Sequence, residues 1–426
     1  MRYVTDHFMY AAGSDFRNTI RTSLEMTEPV DESVLRQAVD RLPLRFPYYA
    51  VRLIREGEDY FYESNDAPYV ISPNGKAVTL GSEESNEHLV AFAYSGNYLY
   101  IDSSHFLMDG GGQFPFLKML LYEYLSRKYP EAEFDVSDIP QPGDEIRPEE
   151  MTDDPYPSDE IPVEFPIMEP EPEEIFMLKD QPQGYEHAEE WTSFRFKVKQ
   201  ADMMKYASSA DGSPATFVSS LIYRAISDLN PENRLPLVCG MQHQFRKALG
   251  NPFSHSSHVR IVPISYPDKV REKDLMIVNT IGRGTLLIRA SDEADSQSIN
   301  EYLRNRERLQ KMTLPKKQKM VRWIVRSAIG KNTFEVSYTG RVRWSGLDRY
   351  IRCFTPYIDL TLSGGISAEI FALGEYFDIN IMQRNSDPRY VDNILAQLEE
   401  LGIHSEAETP ESFELCGFQA PAEAQE

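Results

Sequence analysis

One histidine stands out by its position. In the run Ser103-Ser104-His105-Phe106-Leu107-Met108-Asp109-Gly110-Gly111-Gly112, His105 follows an apolar segment and precedes an Asp-Gly pair by four residues. A strand should end there and a turn begin. Loops at the ends of rigid strands are where reactive side chains are displayed. An imidazole near its unperturbed pKa of about 6.5 can take up and return a proton at neutral pH. His105 is therefore a candidate general base. The glycines behind it allow a tight backbone turn. They are not a Walker loop, because no Lys-Ser/Thr pair follows.

His243, His255 and His258 lie near Cys239 in sequence and invite a metal reading. The spacing His255-Ser256-Ser257-His258 is not that of a helical His-x-x-x-His pair. Asn251-Pro252 and Ser254 mark a loop around it, so these are read as unliganded loop histidines. No metal is expected.

The elements that must position His105 can be read from periodicity. Residues 19–26 alternate as a half-buried strand does. Asp31 caps a helix with Val34, Leu35, Ala38, Val39 and Leu42 in phase, closed by Pro43 and Pro47. Residues 48–54 and 60–63 read as strands around a turn at Gly57. Residues 88–94 and 98–102 form a hairpin about Ser95-Gly96-Asn97, and its second arm delivers His105. A buried helix spans 114–124. Farther along, strands are expected at 192–198, 235–241, 258–266, 335–338, 366–371 and 377–382. Helices are expected at 201–210, 214–226, 301–312 and 390–401, with Ser213-Pro214 as a cap pair and Gly402 as a stop.

Length favours two or three domains. Residues 131–174 carry 17 acidic residues and one basic residue, Arg147, among many prolines. Such a stretch is neither a continuous helix nor a central strand. It reads as a surface crossover, partly docked through Ile161, Val163, Phe165, Ile167 and Met168. The domain reading is a first lobe over 1–130, an acidic Pro-rich linker over 131–190, a second lobe over 191–410 and a flexible tail over 411–426. The net charge of −23 argues against nucleic acid. No apolar run is long enough for a membrane span. Cys239, Cys353 and Cys416 are too few and too scattered for a disulfide framework, and the N-terminus lacks a signal-peptide pattern. A cytoplasmic location is expected.

Three features together resemble the superfamily of chloramphenicol acetyltransferase, peptide-synthetase condensation domains and alcohol acetyltransferases. One is His105-Phe106-Leu107-Met108-Asp109-Gly110, set between a hairpin and a helix. Another is the helix from Asp31 to Leu42 followed by Arg45-Phe46-Pro47. The third is Phe245-Arg246-Lys247-Ala248-Leu249-Gly250-Asn251, similar to the family's Arg…Gly-Asn element. The order of elements fits roughly residues 1–405. The histidine that precedes the motif in condensation domains is replaced here by Ser104, which favours a free-standing enzyme. The late Asp-Phe-Gly-Trp-Gly motif of plant acyltransferases is absent. Ser337-Tyr338-Thr339-Gly340 resembles the Ser-Asn-x-Gly element of the alcohol acetyltransferases.

The resemblance implies an α/β (α+β) fold. It would have two similar lobes, each a mixed sheet backed by helices, with an active-site tunnel between them. It implies acyl transfer from a thioester such as acyl-CoA, with an acetyl group as one case, to a small alcohol or amine, and His105 as general base. It makes Asp109 a structural partner of an arginine, for which Arg246 is the candidate, with Gly110 and Asn251 supporting the site. Ser337, Tyr338 or Thr339 would supply the oxyanion donor. Acyl-CoA is a co-substrate, and no bound cofactor is needed. The alternatives are a condensation-like enzyme fed by an acyl-carrier protein, or a non-catalytic binding protein on the same scaffold. Lys316, Lys317, Lys319, Arg322 and Arg326 form the densest basic patch. It is read first as a solvated helix face, and second as a contact for coenzyme A phosphates or a carrier protein.

Overall fold

Alternation of apolar and polar residues builds three sheets in the computed structural model, which describes residues 2–4, 6–13, 16–152, 154–167, 174–181, 191–328, 330–341, 343–360 and 364–421. The strands of the first half are β1 (Arg2–Val4), β2 (Thr19–Met26), β3 (Val51–Glu56), β4 (Asp59–Ser64), β5 (Ile71–Ser72), β6 (Val90–Ser95) and β7 (Tyr98–Ser104). Those of the second half are β8 (Trp191–Lys199), β9 (Leu237–Gln244), β10 (Val259–Tyr266), β11 (Phe334–Tyr338), β12 (Ile351–Ile358), β13 (Ile366–Leu373), β14 (Tyr376–Gln383), β15 (Ser405–Ala407) and β16 (Glu411–Phe413). The helices are α1 (Glu32–Val39), α2 (Gly110–Lys128), α3 (Gln200–Ala207), α4 (Pro214–Leu229), α5 (Leu275–Arg289), α6 (Asp292–Gln310), α7 (Leu314–Ala328) and α8 (Arg389–Glu400).

The first lobe holds a sheet of order β12-β2-β7-β6-β5 and a small sheet β1-β4-β3. Asp31 caps α1 by accepting from the N–H groups of Ser33 and Val34. Phe116, Leu117, Leu120, Leu121 and Tyr124 of α2 are buried, as their phase requires. The second lobe holds the sheet β10-β9-β11-β13-β14-β8-β15, with β16 also on β8. Its apolar face packs with α4 and α8, and Ser213 and Thr216 form a capping box on α4. Among the described residues no helix is long and apolar enough to cross a membrane.

Several expectations change. Residues 48–50 form a turn, not strand. α5 goes unforeseen because Gly282 and Gly284 interrupt its helical signal. Gly282 is needed there, since a Cβ would lie 2.5 Å from the Tyr266 hydroxyl. β12 is also unforeseen. Pro356 argues against a strand interior, but β12 is an edge strand and tolerates it. β12 leaves the second half of the chain and pairs antiparallel with β2 of the first lobe. α7 follows it into that lobe, with Leu314, Val321 and Val325 in the first lobe's core.

Lys317, expected on a solvated helix face, is buried. It pairs with Asp59 and donates to the Glu58 carbonyl at 2.9 Å. Lys316, Lys319, Arg322 and Arg326 are exposed. The crossover is tied to α6, where Asn300 accepts from the Ile161 N–H and donates to its carbonyl, at 2.7 and 2.8 Å. Phe165, expected to dock, is exposed, and Met168 lies outside the described residues.

The segment from 411 does not fray over its described part, which ends at 421. Cys416 and Phe418 are buried, the Thr19 hydroxyl donates to the Cys416 carbonyl at 3.1 Å, and Leu80 bridges Phe418. Apolar side chains at these positions, not the surrounding charges, decide the outcome.

Candidate active site

His105 sits one residue past the end of β7, where the hairpin delivers it. Its N–H donates to the Asn18 carbonyl at 2.8 Å, which fixes the backbone. Its Nδ1 lies 3.3 Å from the Ser257 hydroxyl on the loop before β10. Burial lowers its pKa below the ordinary 6.5, and the charge of Asp109 offsets this only partly. The ring is therefore neutral at pH 7 and able to accept a proton.

Asp109 caps α2, accepting from the Gly112 N–H at 3.0 Å. It also accepts from the His258 N–H at 3.0 Å and from Arg246 Nη2 at 2.5 Å. Burial alone would raise this carboxyl. The Arg246 charge and these N–H donors outweigh it and hold the pKa below the usual carboxylate value. Arg246 further donates to the carbonyls of Ser254 and Ser256, both at 2.7 Å, and to Gln244 at 3.2 Å. One guanidinium thus ties the loop of the second lobe to the helix start of the first. Asn251 lies farther out, donating to the Glu149 carbonyl at 2.8 Å.

The glycine run serves a different purpose from the one expected. Gly110, Gly111 and Gly112 are the first turn of α2, and none of them has a positive φ. What they supply is close approach. A Cβ on Gly110 would lie 2.9 Å from Thr339 Cγ2, and one on Gly112 would lie 2.0 Å from the His255 carbonyl oxygen. That carbonyl and the Gly112 carbonyl share the Tyr49 hydroxyl, at 2.7 and 3.1 Å. Gly112→Ala must therefore push two backbones apart. We expect a loss of about 1–3 kcal/mol or more, the range for overpacking, measurable by urea unfolding.

A second cluster lies beside the first. Arg45 makes a bidentate pair with Glu150 of the crossover, at 2.6 and 2.7 Å. The Tyr48 hydroxyl donates to Glu150 at 2.8 Å and lies 2.7 Å from His255 Nδ1. His255 must then carry its proton on Nδ1. Burial lowers His255 and His258 to about 4, so both are neutral. His258 contacts the Ser254 hydroxyl at 2.9 Å. His243 pairs with Asp295 at 3.1 Å. These histidines do not converge, and among the described residues no group of three or more His, Cys, Asp or Glu side chains is arranged to hold a metal.

His105 and Asp109 line a cavity of about 1490 Å³ whose walls come from both lobes. Facing them are Gln242 and Gln244 of β9, Glu335, Ser337 and Tyr338 of β11, Thr339, and Glu369 and Phe371 of β13. Ser337 is on the cavity-facing side of its strand, in register with Glu369. Tyr338 also packs its ring against Phe377, with centroids 6.0 Å apart. The sequence reading missed Glu150, Glu335 and Glu369 as cavity residues. On an alternating strand an acidic residue opposite the core reads as solvent-facing, and only the other lobe buries it.

The described architecture matches a two-lobed fold already seen in solved structures. Three solved structures are similar to this chain over nearly its whole length. TRI101 of F. graminearum complexed with ethyl coenzyme A is similar over 96% of this chain and 100% of that chain, with a TM-score of 0.60 and 13% identity. Polyketide synthase associated protein 5 from Mycobacterium tuberculosis is similar over 93% and 97%, with a TM-score of 0.59 and 13% identity. The first condensation domain of the CDA synthetase is similar over 94% and 96%, with a TM-score of 0.56 and 11% identity. No family model matches the sequence, and no curated protein matches it.

Proposed function

We propose that this chain transfers an acyl group from a thioester, acyl-CoA first, to an alcohol or amine. The observation that carries the reading is a half-buried His105, its pKa held below the ordinary value, lining a two-walled cavity beside the Asp109–Arg246 pair. Structures of TRI101 hold coenzyme A together with T-2 mycotoxin or deoxynivalenol, which supports a donor–acceptor cavity of this kind.

With the neutral ring's proton on Nδ1, directed at the Ser257 hydroxyl, Nε2 of His105 is the base. It takes the proton of the acceptor O–H or N–H as that atom attacks the thioester carbonyl. The oxyanion that forms needs a donor, for which Tyr338 of β11, which also lines the cavity, is our choice, because the Ser337 hydroxyl is engaged by Glu369. Collapse expels the thiolate, which takes the proton back from the imidazolium. The enzyme ends as it began. Asp109 and Arg246 act as positioning residues, with Gly110 and Asn251 holding the backbone around them. The three separate buried thiols Cys239, Cys353 and Cys416 suit a reducing cytoplasm.

The test is thiol release from a panel of acyl-CoAs offered mixed alcohols and amines. Release that depends on the acceptor supports the reading. No release with any pair rejects acyl-CoA as donor. A carrier-protein donor is the second reading, favoured by α7. That helix lines the cavity through Ile324, Val325 and Ala328 while exposing Trp323 and four cations. Acyl groups on a phosphopantetheinyl carrier protein then replace acyl-CoA in the same assay.

The pH dependence has a definite sign. The base must be neutral, so kcat/KM rises with pH through the His105 pKa. Because burial lowers that pKa, the acid limb should have its midpoint below 6.5. A midpoint above 6.5 would assign the limb to another group.

A further inference from the structure

The second lobe's cavity wall carries two carboxyl groups that acyl transfer does not use. β11 and β13 run parallel, with Glu335 in register with Ser367 and Ser337 in register with Glu369. Val336, Ala368 and Ile370 fill the core behind them, so these four side chains share the opposite face. Glu335 and Glu369 are 4% and 6% exposed, and both line the cavity that holds His105.

Their partners are neutral. Asn332 donates to Glu335 at 3.3 Å and Gln242 at 3.5 Å, while Ser337 hydrogen-bonds Glu369. Among the described residues neither carboxyl has a cation as an ion-pair partner. Arg195, two strands away, is engaged by Glu408 and Glu411 at 2.9 and 3.4 Å. Among the described residues the Ser367 hydroxyl, buried on the same face, has no hydrogen-bond partner.

A buried carboxylate is costly without a counter-charge. The other two buried carboxylates of this cavity obey that rule, Asp109 with Arg246 and Glu150 with Arg45. Glu335 and Glu369 depart from it together, two residues apart on adjacent strands, beside an orphaned hydroxyl. The missing charge is one that a ligand would bring. Burial raises Glu335 to about 7 and Glu369 to about 8, so the patch holds protons that an arriving cation displaces.

We propose that Glu335 and Glu369 form a cation-binding subsite that selects an acceptor bearing a protonated amine. The amine sits on the patch while the acceptor's nucleophile faces His105. The word acceptor rests on the acyltransferase reading, but the subsite itself does not.

The test is calorimetric binding, with no acyl donor present, of a homologous series of primary amino alcohols against diols of the same chain lengths. The best amino alcohol should bind roughly tenfold or more tightly than its diol, about 1.4 kcal/mol. Glu335→Gln with Glu369→Gln should abolish that preference and leave the diol unchanged. Each single variant should remove part of it, which covers the case of a double variant that does not fold. Equal binding of amino alcohols and diols, a preference that survives the substitutions, or no binding of any amino alcohol would overturn the proposal. A protein that releases no thiol from acyl-CoA or from an acylated carrier protein yet keeps the preference would sink the acyltransferase reading and leave the subsite standing.

Discussion

Replacing His105 with alanine lowers acceptor-dependent thiol release by roughly 10²–10⁴-fold, the contribution of a positioned general base. The variant remains folded, because the backbone N–H of residue 105, held by the Asn18 carbonyl, is untouched. Donor binding should change little, since the imidazole acts on the acceptor's proton. The loss therefore falls on kcat more than on the KM for the thioester. His105→Ala with wild-type release would show that the base lies elsewhere. The measurement pairs steady-state thiol release with a thermal melt, so that inactivity through unfolding is recognised.

Breaking the Asp109–Arg246 pair from one side has the largest expected effect on stability. Arg246→Met leaves a buried carboxylate without its cation and strips donors from the Ser254 and Ser256 carbonyls. The expected cost is about 3–5 kcal/mol, the range for an uncompensated buried charge. Asp109→Asn keeps the shape and part of the hydrogen bonding, so it should cost less than Asp109→Ala. The pair also sets an acid limit. The folded pKa of Asp109 lies below its unfolded value of about 3.9, so its stabilisation is present above that pH and fades as pH falls through the folded value. Urea unfolding of wild type and Asp109→Asn between neutral and strongly acid pH checks this. The stability difference between them should shrink at the acid end. A difference that does not vary with pH would remove Asp109 from the acid response.

Local signals carried the sequence reading far. The hairpin that delivers His105, the cap at Asp31 and the Ser213-Pro214 cap pair depend on neighbours within a few residues. Each therefore appears in the sequence. The Arg246 element was legible only through resemblance, since its partner is 137 positions away. Two kinds of feature were not legible. β12 carries Pro356, and only its place at a sheet edge makes that residue admissible. Glu335 and Glu369 alternate correctly for a strand with one wet face, and nothing local shows that a second lobe covers that face. The glycines after Asp109 suggested a turn because φ freedom is the commoner use of glycine. Here the requirement is the approach of the His255 carbonyl, which belongs to a loop more than a hundred residues onward.

The placement of β12 also sets a timetable. β2 and β7 leave the ribosome early, but β2 remains an open edge until Ile351–Ile358 has been made. At ~5–20 residues per second that wait is on the order of 10–50 s. An unpaired edge strand is a template for association with other chains. The first lobe is thus a half-finished sheet for most of its own synthesis. A truncated product ending before β12 should associate or be degraded rather than persist as a folded fragment. Cutting the acidic crossover should leave the two pieces held together, because the lobes are interlaced and not merely joined.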